Sequence, residues 1–194
     1  MEEKKVSANL GIYLGILNPA VGSLCLTRRD VEHSITSGKS YKGCYELTGG
    51  AVLKAKNPSY DHPYKELVRL IEKKIGPKIL SGGPKTLSVF GLLPSYMMLL
   101  KKTDGTYDLA TVIPLEIPLH PWVGEQRWVS TAELNKLARE FVEADPKKEI
   151  EGKGLLSGYG KRMHCMSLAA LTFSSNRNNV RLAKKTLAKI QKSW

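Results

Sequence analysis

Tyr45-Glu46-Leu47-Thr48-Gly49-Gly50-Ala51-Val52-Leu53, then a polar loop, then Lys65-Glu66-Leu67-Val68-Arg69-Leu70-Ile71-Glu72-Lys73-Lys74-Ile75-Gly76, is the stretch whose reading decides the fold. Locally it reads as strand, tight glycine turn, strand, loop, helix and stop. Gly49-Gly50 lets the backbone turn, or approach a ligand where a side chain would clash. Leu67, Ile71 and Ile75 recur every fourth residue with Val68 beside them, the apolar stripe of an amphipathic helix. Gly76-Pro77 ends that helix.

The stretch resembles the signature of the Nudix family, G-x5-E-x7-R-E-U-x-E-E-x-G-U, with U a bulky aliphatic residue. Gly49 and Gly50 match the glycine turn, Arg69 the arginine, Ile71 the aliphatic position and Gly76 the later glycine. A second segment, Trp128-Val129-Ser130-Thr131-Ala132-Glu133-Leu134, resembles one common late in the same domains. Ser130 and Glu133 there form a capping box that opens a helix. The resemblance covers about Asn9 to Ala144. It implies an α/β fold: a Nudix-type mixed β-sheet sandwiched between helices. It also implies an activity, the splitting of a diphosphate linked to another group, with Mg²⁺ held by the helix glutamates.

The departures bear on that activity. The three glutamates of R-E-U-x-E-E fall on Leu70, Lys73 and Lys74. The interval from Gly50 to Arg69 is five residues longer than in the family, and Asp61 takes the place of the earlier glutamate. Mg²⁺ takes hard oxygen ligands, usually carboxylates plus substrate phosphates. Leucine cannot ligate and an ammonium repels the ion. Positions 66, 70, 73 and 74 share one helical face, so that face offers the single carboxylate of Glu66. Glu72 lies about 200° around the helix from Leu70.

Composition bounds the rest. The chain has 194 residues, 42% of them hydrophobic, enough for one domain with its own core and an appendage. No apolar run reaches the ~18 residues of a membrane helix, and the N-terminus lacks the order of a signal peptide. Cys25, Cys44 and Cys165 form no C-x-x-C pair, which points to reduced thiols in a cytoplasmic protein and no zinc site. Net charge is +12. From Lys147 onward, eleven lysines and arginines face only Glu149 and Glu151, so +9 of that charge sits in the last quarter. Such a balance is either a solvated surface or a footprint for phosphate-bearing partners.

In chain order, Asn9 to Arg29 reads as a β-hairpin turning at Asn18-Pro19-Ala20-Val21-Gly22. Asp30 to Gly43 reads as a loop. Tyr96–Lys101 and Tyr107–Ile113 read as paired strands, and Pro114 to Gly124 as a proline-punctuated loop. Met163 to Phe173 reads as a packed helix. Asn176 to Lys192 reads as a second helix, with Val180, Ala183, Leu187 and Ile190 on one side and Arg181, Lys184, Lys185 and Lys192 outside that stripe.

The division expected is a Nudix-like domain over 1–146 and a basic helical C-terminal extension over 147–194. Three functions stay open. One is a non-catalytic Nudix-fold protein that binds a nucleotide or RNA. The second is a divergent metal-dependent hydrolase of nucleoside diphosphate derivatives, using Mg²⁺ on Asp61, Glu66, Glu72 or Glu116. The third is a structural or protein-interaction role, with a homodimer or a protein partner. The first reading expects no cofactor, no bound metal and no membrane. It assigns phosphate binding to Gly49, Gly50, Arg28, Arg29, Arg69, Lys73 and Lys74, and nucleic-acid binding to Lys161, Arg162, Arg181, Lys184 and Lys185.

Overall fold

Strand β1 (Ala8–Asn18) is the centre of the sheet. The computed structural model describes residues 8–18, 20–29, 43–52, 65, 68–69, 72, 96–101, 107–116, 126–143 and 160–192. Among them are seven strands and three helices: after β1 come β2 (Ser23–Arg28), β3 (Tyr45–Glu46), β4 (Thr48–Ala51), β5 (Tyr96–Lys101), β6 (Tyr107–Glu116), β7 (Gln126–Val129), α1 (Thr131–Glu143), α2 (Gly160–Leu171) and α3 (Arg177–Lys192).

β1 is apolar on both faces because both are covered. On one edge it pairs in parallel with β6 along its whole length, from Ala8↔Tyr107 to Leu17↔Glu116. On the other it pairs with β2 only at Leu17↔Leu24 and Asn18↔Ser23. There the two strands part, and Tyr45–Ala51 fills the fork: β3 pairs with β2, and β4 pairs with β1. β7 lies along β2, and β5 closes the far edge against β6. Leu47, at the break between β3 and β4, gives its backbone N–H to the Met163 sulfur of α2 at 3.4 Å.

The expected glycine turn is a strand instead. Gly49 and Gly50 lie inside β4, opposite Tyr13 and Ile12. The reason is close approach: a Cβ on Gly49 would overlap the Ile12 carbonyl and sit 2.6 Å from Tyr13 Cα. Pro114 is a second correction, since β6 continues through it to Glu116. Among the described residues the pairing with β5 runs to Val112, and the pairing with β1 continues past it, with Pro114 opposite Gly15, to Glu116.

Alternation along β1 sends Ile12, Leu14 and Ile16 to one face, where they meet Cys25, Leu115, Trp128 and Val68. Lys65, Val68, Arg69 and Glu72 are helical, so helical backbone covers this face at Val68. The opposite face, with Tyr13 and Leu17, meets the three C-terminal helices in the larger cluster. Gly15 lets α2 approach until a Cβ would overlap Ala170. This is the expected mixed sheet between helices.

The two helices expected after 147 are present, and they are built into the core rather than appended to it. Met166, Leu168, Ala170 and Leu171 of α2 are fully buried, in one cluster with Leu17, Leu24 and Val112 of the sheet. Ala183 of α3 is buried in the same cluster, and Leu187 and Ile190 pack against it. The α2–α3 corner also clamps the β1–β2 turn: Ser174 Oγ and Asn179 Nδ2 donate to the Gly22 carbonyl at 3.3 and 3.0 Å. No helix among the described residues is long and apolar enough to cross a membrane.

Candidate functional site

Two groups of polar side chains stand out, one on the sheet and one on α3. The first follows from strand alternation around β3. Register sets Thr27 opposite Glu46 and Arg28 opposite Tyr45. Thr27 and Glu46 therefore share one face, and Arg28 and Tyr45 the other. Arg29 continues the pairing through its N–H to the Cys44 carbonyl at 2.9 Å. Its guanidinium meets the Glu46 carboxylate at 3.4 Å. Glu46 is 8% exposed and Arg29 half-buried, and the pair lies next to the face that Val68 and Trp128 cover. Burial pushes the neighbouring Cys44 thiol above its ordinary range; the Glu46 charge adds to this and Arg29 opposes it. On the other face, the Arg127 guanidinium lies 5.7 Å from the centroid of the Tyr45 ring.

The structure separates several residues that the sequence grouped. Arg29 joins Glu46, while Arg28 is exposed and faces the opposite way. Gly49 and Gly50 lie in β4. Arg69 is helical and half-buried beside Val68, and Glu72 is helical and exposed. Glu116 ends β6 opposite Leu17. Asp61, Glu66, Lys73 and Lys74 lie outside the described residues. Glu46 was not foreseen. The signal available was its place two residues before Thr48 on an alternating strand, with an arginine on the facing strand.

Among the described residues no group of three or more His, Cys, Asp or Glu side chains could hold a metal ion, and Asp61 and Glu66 lie outside those residues. Glu46 already accepts from a guanidinium at 3.4 Å, and that cation opposes a divalent ion at the same carboxylate. Glu72 projects from an exposed position.

The second group lies on α3. With about 3.6 residues per turn, Arg177, Arg181, Lys184, Lys185 and Lys192 fall within an arc of about 100°. Ala183, Leu187 and Ile190 occupy the opposite side and hold the helix on the core. All five cations are exposed, and α3 contains no acidic residue. Among the described residues none of the five has an ion-pair partner. Arg177 stands in the first turn, where the helix dipole disfavours a cation by about 0.3–1 kcal/mol. Lys161 and Arg162 fall in the first turn of α2.

Between the end of α2 and the start of α3 lies an open groove of about 460 Å³. Phe173, Arg177, Val180, Arg181 and Lys184 line it. Phe173 and Arg177 were not foreseen as site residues. The spacing of Arg177, Arg181 and Lys184 at i, i+4 and i+7 carried part of that signal.

No protein-family model matches the chain, and no curated protein matches it. Solved structures similar to it include the MutT protein from Methanosarcina mazei Go1, 17% identical over 69% of this chain and 85% of that chain, with a TM-score of 0.43. The dihydroneopterin triphosphate pyrophosphohydrolase of E. coli is 8% identical over 95% of this chain and 99% of that chain, with a TM-score of 0.43. A Nudix hydrolase from M. smegmatis is 18% identical over 67% of this chain and 74% of that chain, with a TM-score of 0.35.

Proposed function

We propose that this chain is a binding protein for RNA or a nucleotide, built on a Nudix-type sandwich and without metal-dependent hydrolysis. The observation that carries the reading is the α3 surface, where five exposed cations stand on one arc with no acid on the helix. Such a stripe matches the charge of a phosphate backbone, which supplies most sequence-independent affinity. Its cations are neutralised by none of the described residues. Lys161 and Arg162 at the start of α2 add to the same total. A binding role also agrees with the sequence, which sets Leu70, Lys73 and Lys74 where the family has glutamates. A cytoplasmic location goes with this reading, since Cys25, Cys44 and Cys165 are all free thiols and all buried.

The reading is tested by titrating a labelled, unstructured RNA into the full chain at low salt. Saturable binding is expected. Undetectable binding ends the proposal.

A divergent hydrolase is the second reading, favoured by one observation: a carboxylate, Glu46, is held nearly buried next to the helix-covered face. Turnover of a panel of nucleoside diphosphate compounds with Mg²⁺ or Mn²⁺ decides between the two. Turnover by the wild type that is lost in Glu46→Gln establishes the hydrolase. No turnover with any compound leaves the binding role.

A further inference from the structure

The groove along the Thr172–Ser174 elbow and α3 joins a feature that charge alone does not explain to the basic stripe. Phe173 is 39% exposed although apolar burial was within reach, since its neighbours Leu171 and Ser174 are buried. Its backbone is fixed. Phe173 N–H donates to the Ala170 carbonyl at 3.0 Å and Ser174 N–H to the Leu171 carbonyl at 3.2 Å. Asn176 N–H then donates to Ser174 Oγ at 3.1 Å, and the Asn176 side chain caps α3 through the N–H groups of Asn178 and Asn179, each at 3.1 Å. The elbow thus presents an aromatic ring from a locked turn. Arg177, Arg181 and Lys184 line the same groove from one face of α3, with Val180 as an apolar patch between them.

We propose that this groove seats an unpaired nucleotide of a single strand, with the base on the Phe173 ring and the flanking phosphates on Arg177, Arg181 and Lys184. The inference rests on the nucleic-acid reading above and narrows it to single strands. Three cations alone would draw any polyanion. An exposed ring fixed among them adds a surface for the flat face of a base, and every base has one. Bases inside a duplex are stacked on each other and cannot reach the ring. The cations span about 10 Å along the helix axis, enough to follow the backbone on either side of the stacked base. The groove therefore selects by strandedness and not by sequence.

The test compares one unstructured RNA of about ten nucleotides, a common site size for single-strand binders, with the same RNA annealed to its complement. Both are titrated into the full chain and into Phe173→Ala, Phe173→Trp and Arg181→Glu. Phe173→Ala is expected to weaken single-strand binding by about five-fold or more, the loss typical of a removed stacking ring, and to leave duplex binding unchanged. Phe173→Trp keeps or tightens single-strand binding. Arg181→Glu weakens both. If Phe173→Ala binds the single strand as the wild type does, or loses the same factor for both probes, the nucleotide seat is overturned. When Arg181→Glu still weakens binding in that case, the broader nucleic-acid reading survives. If the wild type binds neither probe, both fall together.

Discussion

His164 Nε2 donates to Asn135 Oδ1 at 3.0 Å, and this bond ties α2 to α1. The amide of Asn135 is oriented by its Nδ2, which donates to Thr186 Oγ1 of α3 at 3.4 Å. Three helices thus meet in one short polar chain inside the helical layer. His164 is 9% exposed, and burial pushes its pKa down to about 4 from 6.5. The imidazole is neutral and structural in the folded chain, with its proton on Nε2.

The first prediction concerns acid stability. The unfolded chain takes up the His164 proton near pH 6.5, while the folded chain does so only near 4. Stability from this group is therefore complete above about pH 6.5, falls between about 6.5 and 4, and levels off below. The full loss is on the order of 3 kcal/mol. His164→Gln, which can still donate to Asn135, is expected to lose less stability on acidification. Urea midpoints at pH 7.5 and 4.5 measure this, and an equal loss in both proteins would show that another group sets the acid limb.

The second prediction tests how the C-terminal helices join the core. Gly15→Ala places a methyl against Ala170 and is expected to destabilise by about 1–3 kcal/mol, the usual range for overpacking. Ala170→Gly in the same chain should return part of that loss, because the two sites are in contact. A thermal-melt cycle measures the coupling. A Gly15→Ala chain as stable as the wild type would mean that α2 does not sit this close to β1.

Much of the fold was legible because the signals were local. The β1–β2 hairpin, the β5–β6 pair and the two last helices follow from alternation, turn residues and helical period. The Ser130–Glu133 box forms as read, with Ser130 N–H to Glu133 Oε2 at 2.9 Å and Glu133 N–H to Ser130 Oγ at 3.3 Å. The misreadings were tertiary. A glycine pair reads alike for a turn and for close backbone approach, and only β1 lying against Gly49 decides. Pro114 reads as a breaker, and only the pairing of β6 with β1 through Gly15↔Pro114 shows the strand running on. The apolar run of α2 does not say what it packs on. The candidate site was half legible. Charge marked Arg181, Lys184 and Lys185, but nothing local marks Phe173 as exposed or pairs Arg29 with Glu46.

A third prediction concerns Lys73 and Lys74, which stand where the signature that the sequence resembles has glutamates and which lie outside the described residues. If the proposed binding role holds, two ammoniums at these positions of the sequence would hold a diphosphate directly, with no metal-bound water to attack it. Calorimetry in EDTA with a nucleoside diphosphate is the measurement. Binding by the wild type is expected, with loss in the Lys73→Glu, Lys74→Glu double variant. Binding that is absent in the wild type, or unchanged in the variant, would make the two lysines surface charge.

The salt dependence of RNA affinity tests the central claim most directly. Each phosphate neutralised on a single strand contributes about −0.7 to the slope of log affinity against log salt. The wild-type chain is compared with an Arg181→Glu, Lys184→Glu, Lys185→Glu variant across a range of salt. The α3 account predicts a steep wild-type slope that becomes shallower by about 2 in the variant, if each of the three cations meets one phosphate. Equal slopes for the two proteins, or a wild-type affinity that does not change with salt, would contradict it.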